Sequence, residues 1–200
     1  AQGLIAGMNA ANKILGRESF ILKRSVAFAG VLISDLINKG TSEPYRMFPS
    51  RVEYRINLRD DNTHFRLCEK GFDSGLLSKE DYDRFLNRKE IIEKERKRFK
   101  DTKVKKNTEE SAFLESKNIL NANGKDFYSL LKRSELSYND LSEFFKEDIL
   151  DHEDGIHFET TVKYEGFIAR EAKEIEKLKE IENMNIPEDF VFENLLNISS

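Results

Sequence analysis

Ser78-Lys79-Glu80-Asp81-Tyr82-Asp83-Arg84-Phe85-Leu86-Asn87-Arg88-Lys89-Glu90-Ile91-Ile92-Glu93-Lys94-Glu95-Arg96-Lys97-Arg98-Phe99-Lys100 reads as one long helix. Ser78 followed three residues later by Asp81 resembles a capping box, in which a hydroxyl and an acid satisfy the orphan amides of a helix start. Tyr82, Phe85, Leu86, Ile92 and Phe99 recur at spacings of three, four and seven, so they form one apolar stripe opposite a basic face. A helix this charged persists only when its stripe is buried against other helices. The stretch therefore predicts a mainly α fold. A composition of 38 % hydrophobic and 35 % charged residues agrees, because it suits one-sided helices better than a thick sheet core.

Working towards the amino end, residues 2–15 predict a helix rich in small residues, with Gly16 as its stop, and residues 25–38 a more apolar helix closing at Gly40. Residues 52–58 alternate, Val52, Tyr54, Ile56 and Leu58 against Glu53, Arg55 and Asn57, which predicts a small β element with a short helix as the alternative. Asp60-Asp61-Asn62-Thr63 predicts a turn that caps a helix running to Gly71. Working towards the carboxyl end, residues 101–126 predict a loop with one short helix, and Tyr138 to Leu150 one or two helices. His152-Glu153-Asp154-Gly155-Ile156-His157 predicts a turn. From Thr161 a long helix carries Tyr164, Phe167, Ile168, Ile175, Leu178 and Ile181, with Pro187 beyond its end. Its stripe is expected to pack on the Lys79–Lys100 helix, the competing reading being an exposed docking face for a partner.

No apolar run approaches the roughly 20 residues of a membrane-spanning helix. The first residues carry no basic segment and no initiator Met, which argues against a signal peptide and for a chain cut from something longer. The lone Cys68 has no internal partner, as expected in a reducing compartment. Residues 84–106 hold eleven basic and four acidic residues, +7, whereas 107–162 hold five and thirteen, −8, so the overall net charge of −4 hides a basic stripe.

The chemistry concentrates in Glu43-Pro44-Tyr45-Arg46-Met47-Phe48-Pro49-Ser50-Arg51-Val52-Glu53-Tyr54-Arg55-Ile56-Asn57-Leu58-Arg59. Residues 44–59 contain four arginines against the single acid Glu53, a local charge of +3. A guanidinium grips phosphate bidentately and stacks on bases, which lysine does not. Tyr45, Phe48 and Tyr54 lie between the arginines, so the block is suited to a partner both anionic and flat. The competing reading is a structural one, in which the guanidiniums pair with the chain's own carboxylates. Elsewhere, His152 and His157 with Glu153, Asp154 and Glu159 have no standard zinc spacing, so an acidic surface turn is expected in place of a metal site. Cys68 beside Glu69 and Lys70 is expected to be structural and not an activated thiol. Asp60 and Asp61 are expected to form a turn, and the 84–106 stripe a solvated helix face.

Ala1-Gln2-Gly3-Leu4, Gly30-Val31-Leu32-Ile33, Lys39-Gly40-Thr41, Glu43 to Phe48, Ser50-Arg51, Glu53-Tyr54-Arg55, Leu58-Arg59, Asp61-Asn62, Arg66-Leu67, Glu69-Lys70-Gly71 and Lys163-Tyr164-Glu165-Gly166-Phe167-Ile168 follow in order. This succession resembles the carboxyl-terminal part of the MnmG (GidA) family, the flavoprotein that carries out carboxymethylaminomethyl modification of the tRNA wobble uridine. The resemblance covers almost the whole chain, and its Lys39–Gly71 block is highly specific. Pro49 and Cys68 stand where the family usually has threonine, Ser34 where aspartate is common, and Thr63-His64 for an Ala-Asp type pair; no arginine of the block is lost.

The resemblance implies a mainly α fragment of a FAD-dependent α/β protein. Residues 1–75 would be the end of the FAD-domain region with the Arg-rich block, and residues 76–200 a helical domain incomplete at its end. It implies an enzyme that uses FAD, NADH and methylene-tetrahydrofolate, binds tRNA, forms a homodimer and works with the GTPase MnmE in the bacterial cytoplasm or an organelle. Gln2 becomes the one cofactor-contacting candidate, and Arg46, Arg51, Arg55, Arg59 and Arg66 the tRNA-binding candidates. No catalytic or metal residue is assigned, since the dinucleotide loop and catalytic cysteines belong upstream of Ala1, and this piece is not expected to catalyse alone. The alternative is a stand-alone helical RNA-binding or protein-interaction module.

Overall fold

The structure, a computed structural model, describes residues 1–146 and 149–182. Its helices are α1 (Gln2–Ile14), α2 (Phe28–Asn38), α3 (Thr63–Asp73), α4 (Lys79–Asp101), α5 (Glu109–Ser116), α6 (Phe127–Leu131), α7 (Tyr138–Phe145), α8 (His152–Lys163) and α9 (Glu165–Glu182). The mainly α expectation holds.

The starts of α4, α6, α7 and α8 are written in short polar side chains, whereas α1, α2 and α3 have no side-chain cap. The expected capping of α3 by the turn at 60–63 is therefore made without a cap bond. Ser78 Oγ accepts from the Asp81 amide at 3.1 Å to open α4. Ser137 and Asp140 form a reciprocal capping box on α7. Asp126 and Asp151 cap α6 and α8, each accepting an amide at 2.8 Å. Each cap satisfies donors that would otherwise be orphaned.

The main core gathers the inner faces of α4, α6, α7 and α8 around Ile92, Phe99, Phe127, Leu130, Leu131, Tyr138, Leu141, Phe158 and Val162, all buried. Phe99 makes edge contacts with Phe127 and Phe158 and stacks on Tyr138. The segment read as a loop is part of this core: Val104, Leu114, Ile119 and Ala122 are buried there. Of these four, Leu114 lies on the short helix α5 and the others lie outside helices, where no helical period exists. A smaller cluster, Val31, Val52 and Leu58 with Phe28 and Tyr54, holds α2 against the Arg-rich block.

Three local expectations are corrected. Residues 52–58 form no strand. Val52 and Leu58 are buried as the alternation implies, but the Leu58 amide bonds to the Tyr54 carbonyl at 2.9 Å, so the apolar residues turn inward on a coil that has no neighbouring strand to pair with. Among the described residues the single β feature is an isolated bridge between Lys103 and Asp126. His152 to His157 is the start of α8 and not a turn. Gly155 lies inside that helix because a Cβ there would meet the Tyr138 ring at 2.9 Å. The long helix expected from Thr161 is two helices, broken at Tyr164, whose φ of −96° and ψ of 7° leave the helical range. The stripe's expected packing on α4 is corrected as well: α4 packs chiefly on α3, α6 and α8, and α9 chiefly on α8. Ile175 and Leu178 face Ile21–Ser25 and Tyr54 across a cleft of about 420 Å³. Pro187 lies outside the described residues.

Candidate nucleic-acid interface

The Arg-rich block is moored to α2 by one carboxylate. Asp35 sits on the buried side of α2, 2 % exposed. Its Oδ1 accepts from Arg24 Nη1 at 2.6 Å and lies 3.1 Å from Lys39 Nζ. Its Oδ2 accepts the Tyr45 hydroxyl at 2.6 Å, with Arg51 Nη1 at 4.0 Å. A charge this buried persists only when fully matched. The Tyr45 hydroxyl, with Arg24 and Lys39 working against burial, holds the Asp35 carboxyl well below the usual carboxylate range. Arg24 continues the network, donating from Nε to Glu53 at 3.0 Å and from Nη2 to the Arg51 carbonyl at 3.3 Å. Glu53, the acid within the block, is therefore engaged from outside it.

The five candidate arginines divide. Arg59 forks onto Asp61 at 2.8 and 3.0 Å and donates to the Ile56 carbonyl at 2.7 Å. Arg66 donates to Asn62 at 2.7 Å, to the Arg59 carbonyl at 2.9 Å and to the Val26 carbonyl. Burial pushes the Arg66 guanidinium down from its ordinary value. Both guanidiniums are bound within the chain, Arg59 by a carboxylate and a carbonyl, Arg66 by the Asn62 amide oxygen and two carbonyls. Arg46 and Arg55 are exposed; Arg55 touches only the Val52 carbonyl, at 3.3 Å, and Arg46 makes no side-chain ion pair among the described residues. Arg51 is intermediate in kind, 42 % exposed, with its guanidinium 4.7 Å above the Tyr45 ring. Phe48 is also exposed, at 49 %.

The remaining candidates are placed as follows. Gln2 is exposed in the first turn of α1, near an apolar cleft of about 440 Å³ that Leu4, Met8, Phe20, Phe28 and Leu67 line. Burial pushes the Cys68 thiol up, the opposite of an activated cysteine. His157 faces Asp61 at 3.0 Å and is not paired with His152. Among the described residues no group of three or more His, Cys, Asp or Glu is disposed to hold a metal ion. The basic stripe of α4 is largely paired: Arg88 with Asp154 at 2.5 Å, Lys94 with Glu90 at 2.7 Å and Arg98 with Glu95 at 2.6 Å.

Asp35 and Arg24 escape the sequence reading. The available signal was an acid set four residues after Val31 in an otherwise apolar helix, which demands a buried cation nearby.

Residues 79–172 match the family model described as tRNA modifying enzyme MnmG/GidA C-terminal helical domain. The tRNA uridine 5-carboxymethylaminomethyl modification enzyme MnmG of Clostridium kluyveri is 43 % identical over 203 residues, covering 98 % of this chain and 31 % of that protein. The chain belongs to the MnmG/GidA family. MnmG of Geobacillus kaustophilus is 41 % identical over 206 residues, all of this chain and 32 % of that protein. The solved structure of Aquifex aeolicus GidA superposes with a TM-score of 0.75 at 34 % identity, covering 96 % of this chain and 30 % of that one. The chain thus spans about a third of the length of the MnmG proteins it matches.

Proposed function

We propose that this chain is the RNA-facing, helical portion of a FAD-dependent enzyme that adds the carboxymethylaminomethyl group to the wobble uridine of tRNA. The observation that carries this reading is the division of the arginines. Arg46, Arg51 and Arg55 keep guanidiniums towards solvent, on a loop that Arg59 and Arg66 brace from beneath. Exposed arginines on a rigid base are what phosphate binding needs, since the backbone charge of a nucleic acid dominates affinity and rigid placement limits the ordering cost. Arg46, Arg51 and Arg55 contact tRNA, whereas Arg59 and Arg66 hold the platform. Relatives named as tRNA uridine modification enzymes along the whole chain favour this reading over a stand-alone helical module.

On the same proposal Gln2 reaches the flavin from the start of α1, and the region boundary lies near residue 75. NADH and methylene-tetrahydrofolate supply the reaction, the GTPase MnmE and a second MnmG copy are the partners, and the compartment is the bacterial cytoplasm. Photocrosslinking to tRNA carrying 4-thiouridine, with mass-spectrometric mapping, tests the central part. Crosslinks within residues 44–55 are expected; crosslinks confined to α5–α8 would overturn it.

A further inference from the structure

We infer that Asp35 is a positioning residue that builds, from Tyr45 and Arg51, a stacking platform for an unpaired RNA base. The inference rests on the RNA reading above and goes beyond phosphate contact. Asp35 is itself 2 % exposed and acts through the side chains it holds. Its Oδ2 hooks the Tyr45 hydroxyl at 2.6 Å, which fixes the phenol by its far end. The Arg51 guanidinium lies over that ring, 4.7 Å from its centroid, and remains 42 % exposed. A planar cation backed on one face by an aromatic ring presents its other face to solvent, and unpaired bases stack on such guanidinium planes and on exposed aromatic rings. Phe48 stands on the same turn, since the Arg51 amide bonds to the Phe48 carbonyl at 3.0 Å, and it is half exposed.

The charge balance supports the assignment. Asp35 and Glu53 carry two negative charges against Arg24, Lys39 and Arg51, so one positive charge is in excess. Arg24 and Lys39 make the close pairs, and Arg51, at 4.0 Å, is the cation held most loosely.

The test uses the full chain and an RNA stem-loop with 2-aminopurine in its loop, a base whose fluorescence is quenched on stacking. Tyr45→Phe keeps the ring and removes the hook; Asp35→Asn removes the charge; Arg51→Lys keeps the charge and removes the plane. For Tyr45→Phe and Asp35→Asn, weaker quenching and an affinity loss of roughly threefold or more are expected. In Tyr45→Phe, which loses no phosphate contact, the dependence of affinity on salt should not change. Arg51→Lys is expected to lose quenching with the salt dependence kept. Thermal melting checks that Asp35→Asn folds, and Tyr45→Phe decides the matter if it does not. If Tyr45→Phe and Arg51→Lys quench and bind like the parent while Arg46→Ala weakens binding, the platform is refuted and the RNA reading stands. If the parent binds no RNA, both fall.

Discussion

Nδ1 of His157, in the middle of α8, lies 3.0 Å from Oδ2 of Asp61, ninety-six residues earlier in the chain. Phe65 stacks on the imidazole at 4.2 Å between ring centroids, and Arg59 closes its fork on the same carboxylate. One ring therefore ties the Arg-rich block to the helical bundle.

That tie should be sensitive to acid. Burial pushes the His157 imidazole below its ordinary value, and the Asp61 carboxylate offsets this only in part. The unfolded chain then takes up a proton near pH 6.5, where the folded one still resists it. Stability is therefore full above about pH 6.5 and falls as pH drops from there through the lower folded value. Burial alone would raise Asp61, but Arg59 and His157 bring it below its ordinary value of 3.8, so a second loss begins below that pH. Melting temperatures between pH 5 and 8 should decline towards acid in the parent and decline less in His157→Gln. Parallel curves would show that His157 does not titrate against folding.

Gly30 is expected to reject any side chain. A Cβ there would lie 2.3 Å from the Lys23 carbonyl oxygen and 2.5 Å from that of Leu22, backbone atoms that cannot rotate aside. The Leu22–Arg24 segment crosses α2 at this point and delivers Arg24 to Asp35. Gly30→Ala should cost about 1–3 kcal/mol, the range for overpacking, and lower the melting temperature by roughly 2–10 °C. A variant that melts with the parent would mean that the crossing is looser than the structure has it.

The chain is expected to hold no flavin by itself. A dinucleotide pyrophosphate needs a glycine-rich turn between a strand and a helix. Residues 1–200 contain no complete fingerprint of that kind. After incubation with excess FAD and desalting, the visible spectrum should be featureless. A stoichiometric flavin band that survives desalting is the contrary result.

Where a helix buries one continuous stripe, its sequence was readable. α4 announces itself through Ser78, Asp81 and the recurrence from Tyr82 to Phe99, and α2 and α3 through their apolar runs and turn signals. The failures have a common cause, since contacts made by distant residues decided the local structure. Gly155 resembles a turn residue until the Tyr138 ring is placed against it. The alternation at 52–58 reports burial of Val52 and Leu58 but carries no information about a strand partner. The candidate interface was legible as a set of arginines. Which of them face outward was not, because Arg59 finds Asp61 two residues away in sequence while Arg66 finds the Val26 carbonyl forty residues away. The Asp35 anchor depends on Arg24, Tyr45 and Arg51 meeting across a loop, which periodicity does not encode.

The division of the arginines is tested most directly by measuring tRNA affinity against salt, together with melting temperature, for Arg46→Ala, Arg55→Ala, Arg59→Ala and Arg66→Ala. Arg46→Ala and Arg55→Ala should melt like the parent and each lower the slope of log affinity against log salt by about one unit. Arg59→Ala and Arg66→Ala should lower the melting temperature, since each strands bonded partners in a partly buried setting at a cost of about 1–3 kcal/mol. If Arg46→Ala and Arg55→Ala leave both the affinity and the slope unchanged, this surface does not bind tRNA.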